Sequence, residues 1–96
     1  MLEKIKKVLR ISNNSYDEEI TDLINTCKTD LKLAGVAPSN INESDPMISQ
    51  AIKCYCKGYF GFDNNEAERF IRSYESLKSF LCLNYNVPLN PQNEEE

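Results

Sequence analysis

The sequence predicts an all-α protein: a compact bundle of about four helices with an extended C-terminal tail. Apolar residues recur at helical spacing in four segments, turn-forming or helix-capping residues separate those segments, and none alternates as a convincing strand would. The 96 residues, 41% hydrophobic and 27% charged, fit one soluble globular domain. We expect the helical domain to span residues 1–87 and an acidic, flexible tail to span residues 88–96.

The first predicted helix is short and amphipathic. Four apolar residues share one of its faces: Leu2, Ile5, Val8 and Leu9. Three cations fall together on another face: Lys6, Lys7 and Arg10. Residues 11–15 include two asparagines and are typical of a turn, so we expect the helix to end before them.

The second predicted helix begins near Ser15, which forms a capping-box pattern with Glu18. Acidic residues fill the first turn, where the helix dipole favours negative charge. An apolar stripe about 100° wide contains Ile20, Leu23, Ile24, Cys27, Leu31 and Ala34. Gly35 is a typical C-terminal cap and predicts the end of the helix.

Residues 35–45 read as an irregular loop, and Asp45 followed by Pro46 predicts the start of a third helix. Its apolar stripe contains Ile48, Ala51, Ile52, Tyr55 and Tyr59. Cys56 and Phe60 extend this stripe over more than half of the circumference, which predicts a central helix packed on several sides. Gly61 is placed to stop it.

The fourth predicted helix follows a turn at residues 62–65, with Asn65 and Glu68 as a possible cap pair. Its apolar side contains Ala67, Phe70, Ile71, Tyr74, Leu77 and Leu81. Beyond Asn84 the chain has two prolines and a polar composition, which predict an extended or mobile segment.

The composition argues against an enzyme and predicts no cofactor. The chain has no histidine, and its three dispersed glycines form no phosphate-binding loop. The four cysteines are Cys27, Cys54, Cys56 and Cys82. We expect reduced thiols packed in the core rather than a metal site, since the side chains of Cys54 and Cys56 diverge by about 200° on a helix. No apolar run is long enough to predict a membrane span.

The charge balance argues against a free-standing protein that holds nucleic acid by neutralising phosphates. The formal net charge is −4, and three of the acids are the terminal Glu94, Glu95 and Glu96. The first ten residues are basic, whereas an acidic group opens the second helix: Asp17, Glu18, Glu19 and Asp22. Helix capping alone would select this acidic group, so we predict no metal or acid/base role for it.

Three segments follow one family pattern in their order and spacing. The first is the run Lys-Lys-Val-Leu-Arg-Ile at residues 6–11, followed by Asp17, Ile20, Leu23, Ile24 and Cys27. The second is the third helix from Gln50 to Gly61. The third is the stretch at residues 66–78 with Leu81 and Leu83. Over about residues 2–87 the chain resembles the small helical head–tail connector proteins of long-tailed bacteriophages and prophages, also called adaptor, head-completion or DNA-packaging proteins.

The resemblance implies a structural virion protein that is not an enzyme. Such a protein forms a ring of identical subunits beneath the portal protein and provides the surface to which a stopper or tail attaches. DNA passes through its central channel without sequence-specific binding, and no membrane is involved. The implied locations are the cytoplasm of the bacterial host during assembly and the neck of the virion.

Two sets of residues are candidates for contacts in such an assembly. We expect opposite charges to help set the contact between neighbouring subunits: Lys6, Lys7 and Arg10 against Asp17, Glu18, Glu19 and Asp22. We also expect the tail, through Tyr85, Val87 and Leu89, to order on the portal or on a following ring. The alternative for the tail is a solubilising acidic end.

Two other functions remain open at this point. One is a tail-completion or stopper protein of the same neck region. The other is a small helical DNA-binding regulator, which would need a tight helix-turn-helix with a cationic second helix. The long predicted loop before the third helix, and only Lys53 and Lys57 as its cations, argue against the regulator.

Overall fold

The computed structural model describes residues 1–60 and 65–88, and within these ranges the secondary structure is helical, with no strand. The α-helices are α1 (Leu2–Leu9), α2 (Asp17–Ala34), α3 (Pro46–Tyr59) and α4 (Ala67–Asn84). A short 3-10 helix, Pro38–Asn40, lies in the loop between α2 and α3. The predicted all-α class is therefore confirmed, with one helix in each of the four predicted segments.

The helix α3 lies at the centre of the bundle, as its wide apolar surface predicted: it contacts α1, α2 and α4 and has more buried residues than any other helix. The buried apolar residues come from all four helices and from the segments that join them: Ile5, Ile20, Ile24, Cys27, Leu31, Val36, Ile48, Ala51, Ile52, Cys54, Cys56, Phe60, Tyr74 and Leu81. Gly58 permits close packing of α3 on α4. A Cβ atom at this position would lie only 2.6 Å from Cγ1 of Ile71.

Two predicted helix boundaries are confirmed. Asp45 caps α3 because its Oδ1 accepts hydrogen bonds from the backbone N–H groups of Met47, at 2.8 Å, and Ile48, at 3.3 Å. Gly35 ends α2 in the left-handed region, with a φ of 117° that side chains other than glycine rarely adopt. The predicted stop at Gly61 lies outside the described residues.

Both other predicted caps are wrong. The residue before α2 is Tyr16, without a side-chain cap, and not Ser15. Ser15 lies in the preceding turn, where its backbone N–H donates to Oδ1 of Asn13 at 2.9 Å. The residue before α4 is Glu66, also without a side-chain cap, rather than Asn65. Packing of the helices, and not these local capping patterns, therefore sets the two starts.

The predicted apolar stripes face the core, but not every member is fully buried. In α2, Ile20, Ile24, Cys27 and Leu31 are buried and Leu23 is half-buried, whereas Ala34 is exposed because the chain leaves the helix there and Val36 becomes the next buried residue. Core packing is confirmed for Cys27, Cys54 and Cys56, whereas Cys82 is half-buried. In α4 only Tyr74 and Leu81 are fully buried.

Contacts between the helices define two ends of the bundle. At the charged end, the C-terminal ends of α1 and α3 meet the start of α2, through the Lys6–Asp17 pair and through an edge-on ring contact of Tyr16 with Phe60 at 5.4 Å. At the loop end, residues 35–45 meet the C-terminal end of α4, where the Ala37 N–H donates to the Tyr85 carbonyl at 2.8 Å. The 18 residues of α2 separate the two ends by about 27 Å.

Candidate functional site

Two of the predicted interface residues, Lys6 and Asp17, pair with each other inside the subunit. The Lys6 side chain is only 6% exposed, and its Nζ lies 2.9 Å from Oδ1 of Asp17. The same ammonium group donates a hydrogen bond to Oδ1 of Asn14 at 2.8 Å. The assignment of Lys6 to a face separate from the apolar residues is therefore wrong: this residue joins α1 to the turn before α2 and to the start of that helix.

A signal for the burial of Lys6 was present in the sequence. Leu2 lies four residues before Lys6 and Leu9 lies three residues after it, so all three share one face of α1. Both leucines pack partly buried against the core. A lysine flanked in this way can extend its aliphatic stem along apolar surface and requires an internal acceptor for its charge.

The other predicted charged residues are exposed at the charged end. The cations Lys7 and Arg10 lie at the C-terminal end of α1, and the acids Glu18, Glu19 and Asp22 lie in the first turns of α2. The Lys6–Asp17 pair holds these two helix ends side by side. Exposed groups of both signs thus occupy the same end of the subunit.

The first part of the predicted docking tail is bound to the loop end of its own chain. The side-chain amide of Asn40 donates to the carbonyls of Tyr85, at 3.0 Å, and Val87, at 2.7 Å. The Tyr85 hydroxyl donates to Oδ2 of Asp45 at 3.0 Å. This hydrogen bond and burial both raise the pKa of Tyr85. The segment expected to be extended or mobile is thus held at residues 85–87.

Apolar side chains are exposed at the loop end, among them Val87 of the predicted docking tail. The side chain of Val87 points into solvent and is 58% exposed, although its carbonyl is bound by Asn40. Leu89 lies outside the described residues. Three further apolar residues at this end of the bundle are also exposed: Leu33 on α2, and Phe80 and Leu83 on α4.

A polar contact between α2 and α4 was not predicted. The hydroxyl of the buried Tyr74 donates to Oδ2 of Asp30 at 2.6 Å, and Nζ of Lys78 lies 3.0 Å from the same oxygen. Tyr74 and Lys78 are four residues apart, and thus neighbours on one helix face. Their partner is 44 residues before Tyr74, and nothing in a single sequence links positions so far apart.

This contact shifts the ionisation of its members. Burial alone would raise the pKa of Asp30, but the hydrogen bonds from Tyr74 and Lys78 hold it below its ordinary value. Burial and the hydrogen bond to Asp30 raise the pKa of Tyr74. Burial also raises the pKa of the nearby Cys27 thiol to about 12, which keeps it protonated and unreactive at neutral pH. The arrangement stabilises helix packing and supplies no nucleophile.

Within residues 1–60 and 65–88, no three histidine, cysteine, aspartate or glutamate side chains cluster in a way that would hold a metal ion. No helix in the same part of the chain is long and apolar enough to cross a membrane. The features that remain as candidates for function are surfaces: the charged end and the loop end of the bundle.

The Asp17→Asn variant should be less stable than wild type by about 1–3 kcal/mol, because the buried ammonium of Lys6 would lose its anionic partner. Solvent reaches part of the site and keeps this loss below that of a fully buried pair. Urea unfolding measures this difference. Glu18→Gln is the matched control, since it removes a charge from the same helix turn and should cost less than about 1 kcal/mol. Equal losses in the two variants would contradict a structural role for the Lys6–Asp17 pair.

The contribution of Asp30 to stability should depend on pH. A carboxyl group whose pKa is lowered by folding stabilises the fold above its unfolded pKa of 3.8, and this contribution is lost as the pH falls through the lower folded value. Wild type should therefore be more stable than Asp30→Asn near neutral pH, and the gap should narrow well below pH 3.8. Urea unfolding across this range tests the prediction. Asp22→Asn, which removes an exposed carboxylate of α2, should differ less from wild type in its free energy of unfolding. If the difference between wild type and Asp30→Asn does not change with pH, the prediction is contradicted.

Comparison with known proteins identifies a family. Residues 1–87 match the family model described as phage connector protein. No curated protein and no solved structure matches the chain. The match covers nearly the whole chain and confirms the resemblance to the head–tail connectors that was found in three of its segments. The chain belongs to the phage connector protein family.

Proposed function

We propose that this protein is a subunit of a ring at the neck of a phage or prophage particle, beneath the portal protein. The ring provides the surface to which a stopper or tail attaches and leaves a channel for DNA. The observation that carries this proposal is the family match over residues 1–87. The family is one of structural proteins, which supports a role without catalysis. The subunits are made in the host cytoplasm and end in the virion neck.

The charge distribution supports a ring of identical subunits. In the proposed contact, Lys7 and Arg10 of one copy face Glu18, Glu19 and Asp22 of the next. Lys6 and Asp17 support this contact indirectly, because they form an ion pair within the subunit and hold the two helix ends in place. A contact between two unlike patches joins subunits head to tail, and it closes into a ring when the rotation between neighbours allows.

The C-terminal segment is the proposed contact to the portal. Tyr85 is held by its own chain, so the proposal now depends on Val87 and on Leu89 farther along. The Asn40 clasp, by which we mean its two hydrogen bonds to the carbonyls of Tyr85 and Val87, supports this proposal. These hydrogen bonds fix the start of the tail at the loop end, about 27 Å from the charged end along α2. Contacts to neighbours and to the portal would then use different surfaces.

The DNA-binding regulator gains no support from the fold. The 11 residues between α2 and α3 include a 3-10 helix and a buried Val36, unlike the tight turn of a helix-turn-helix. Lys53 and Lys57, the cations of α3, are half-buried, and the Lys57 ammonium lies over the Phe70 ring at 4.4 Å from its centre. The helix therefore does not present the cationic face that reads a DNA groove.

Electron cryomicroscopy of particles that contain this chain should show it as a ring between the portal and the tail. The helices α1–α4 should fit the ring density as rigid bodies, because the bundle is packed around one core. If density for this chain lies farther from the portal, with another protein between the two, the chain is a tail-completion or stopper protein instead. Absence of the chain from the neck would refute the proposal.

Reversing the charges of Lys7 and Arg10 to glutamate should weaken ring assembly by about tenfold or more while leaving helicity unchanged, since both side chains are exposed. Native mass spectrometry measures assembly as the number of copies bound per purified portal ring. Circular dichroism measures helicity. Lys32→Glu with Arg72→Glu is the matched control, because it changes the net charge equally at exposed positions elsewhere. Unchanged assembly of the Lys7 and Arg10 variant would refute the charge contact.

A further inference from the structure

Tyr59 is an exposed aromatic residue at the charged end. It is the last residue of α3 and is 45% exposed. The next residue, Phe60, contacts Tyr16 immediately before α2, so Tyr59 lies at the same end of the bundle as the exposed cations of α1 and the exposed acids of α2. This end therefore combines an accessible ring with charged groups of both signs.

The ring of Tyr59 is held in place before any partner arrives. Its centre lies 4.6 Å from that of Tyr55, with the planes inclined at 36°. Tyr55 in turn packs edge-on against the buried Tyr74, with ring centres 5.0 Å apart. This row of three rings anchors Tyr59 to the core. A side chain that is already ordered loses little conformational freedom when it binds. More of the free energy gained by burying it then contributes to affinity.

We infer that Tyr59 is the apolar anchor of the contact between two copies of this chain, with the charged residues of the same end forming the rim around it. This inference rests on the proposed ring. Interfaces place aromatic residues at a desolvated centre and charged residues at the periphery, and tyrosine and arginine are over-represented among the residues that dominate binding.

Charge complementarity identifies a second copy as the partner. The charged end exposes Lys7 and Arg10 next to Glu18, Glu19 and Asp22. A partner of one sign would satisfy one group and repel the other, whereas a second copy offers both signs. Of the exposed leucines at the loop end, Leu83 lies in a segment, residues 79–88, that contains no acidic or basic side chain, and leucine is under-represented among dominant interface residues.

The test compares Tyr59→Ala with a matched control at the other end of the bundle. Phe80 is also an aromatic residue of similar exposure, 44%, but it lies in the last turns of α4. We expect Tyr59→Ala to raise the concentration needed to fill half of the ring positions on purified portals by about tenfold or more. Phe80→Ala should change that concentration less, and its portals should still fill to complete rings, because the loop end is proposed to contact the portal and not a neighbouring copy. Tyr59→Phe keeps the ring and should retain most of the assembly.

The readouts are copies per portal by native mass spectrometry and the free energy of unfolding by urea, which shows that each variant is folded. Equal assembly of Tyr59→Ala and wild type, or equal weakening by Tyr59→Ala and Phe80→Ala, would overturn the inference. Portals that carry isolated wild-type copies without contacts between them would also overturn it. If the neck lacks the chain altogether, the proposed function fails; if Tyr59→Ala rings are complete, only the anchor fails.

Discussion

The ion pair between Lys6 and Asp17 is the interaction on which the arrangement of the charged end depends. It joins α1, which has only eight residues, to the start of α2. A helix of two turns is unstable alone in water, so its position comes from such tertiary contacts and from the burial of Ile5. Together with the burial of Ile5, the pair fixes the exposed cations of α1 relative to the exposed acids of α2. An interior charge thus organises an exterior surface.

The fold was predictable where local signals and tertiary packing agree. Asp45 before Pro46 and Gly35 after α2 act within three residues of their own position, so the pattern alone identifies them. Ser15 and Asn65 have equally good local patterns, yet both helices begin after a different residue, because the capping preference of about 1 kcal/mol is smaller than the packing energy of a helix. Local chemistry predicts a helix start only where the core does not require another one.

The candidate site was predictable in its charges and not in its pairings. Sequence reasoning identified the basic and acidic groups, but it assigned Lys6 and Asp17 to a contact with a neighbouring subunit. The sequence of the turn between them does not show that it brings the two side chains together. The contacts of Asp30 with Tyr74 and of Asn40 with Val87 join residues 44 and 47 positions apart. Tyr59 was included in a core stripe, since helical periodicity cannot show that neighbouring helices cover this last residue of α3 only in part.

The Asn40 clasp has a consequence for how the chain tolerates change. Its amide contacts only main-chain carbonyls of residues 85 and 87, groups that every amino acid possesses. The side chain at position 87 can therefore change without loss of these hydrogen bonds, whereas replacement of Asn40, which is 7% exposed, removes both of them. The surface at the loop end can therefore diversify in its side chains without disturbing the framework that carries it.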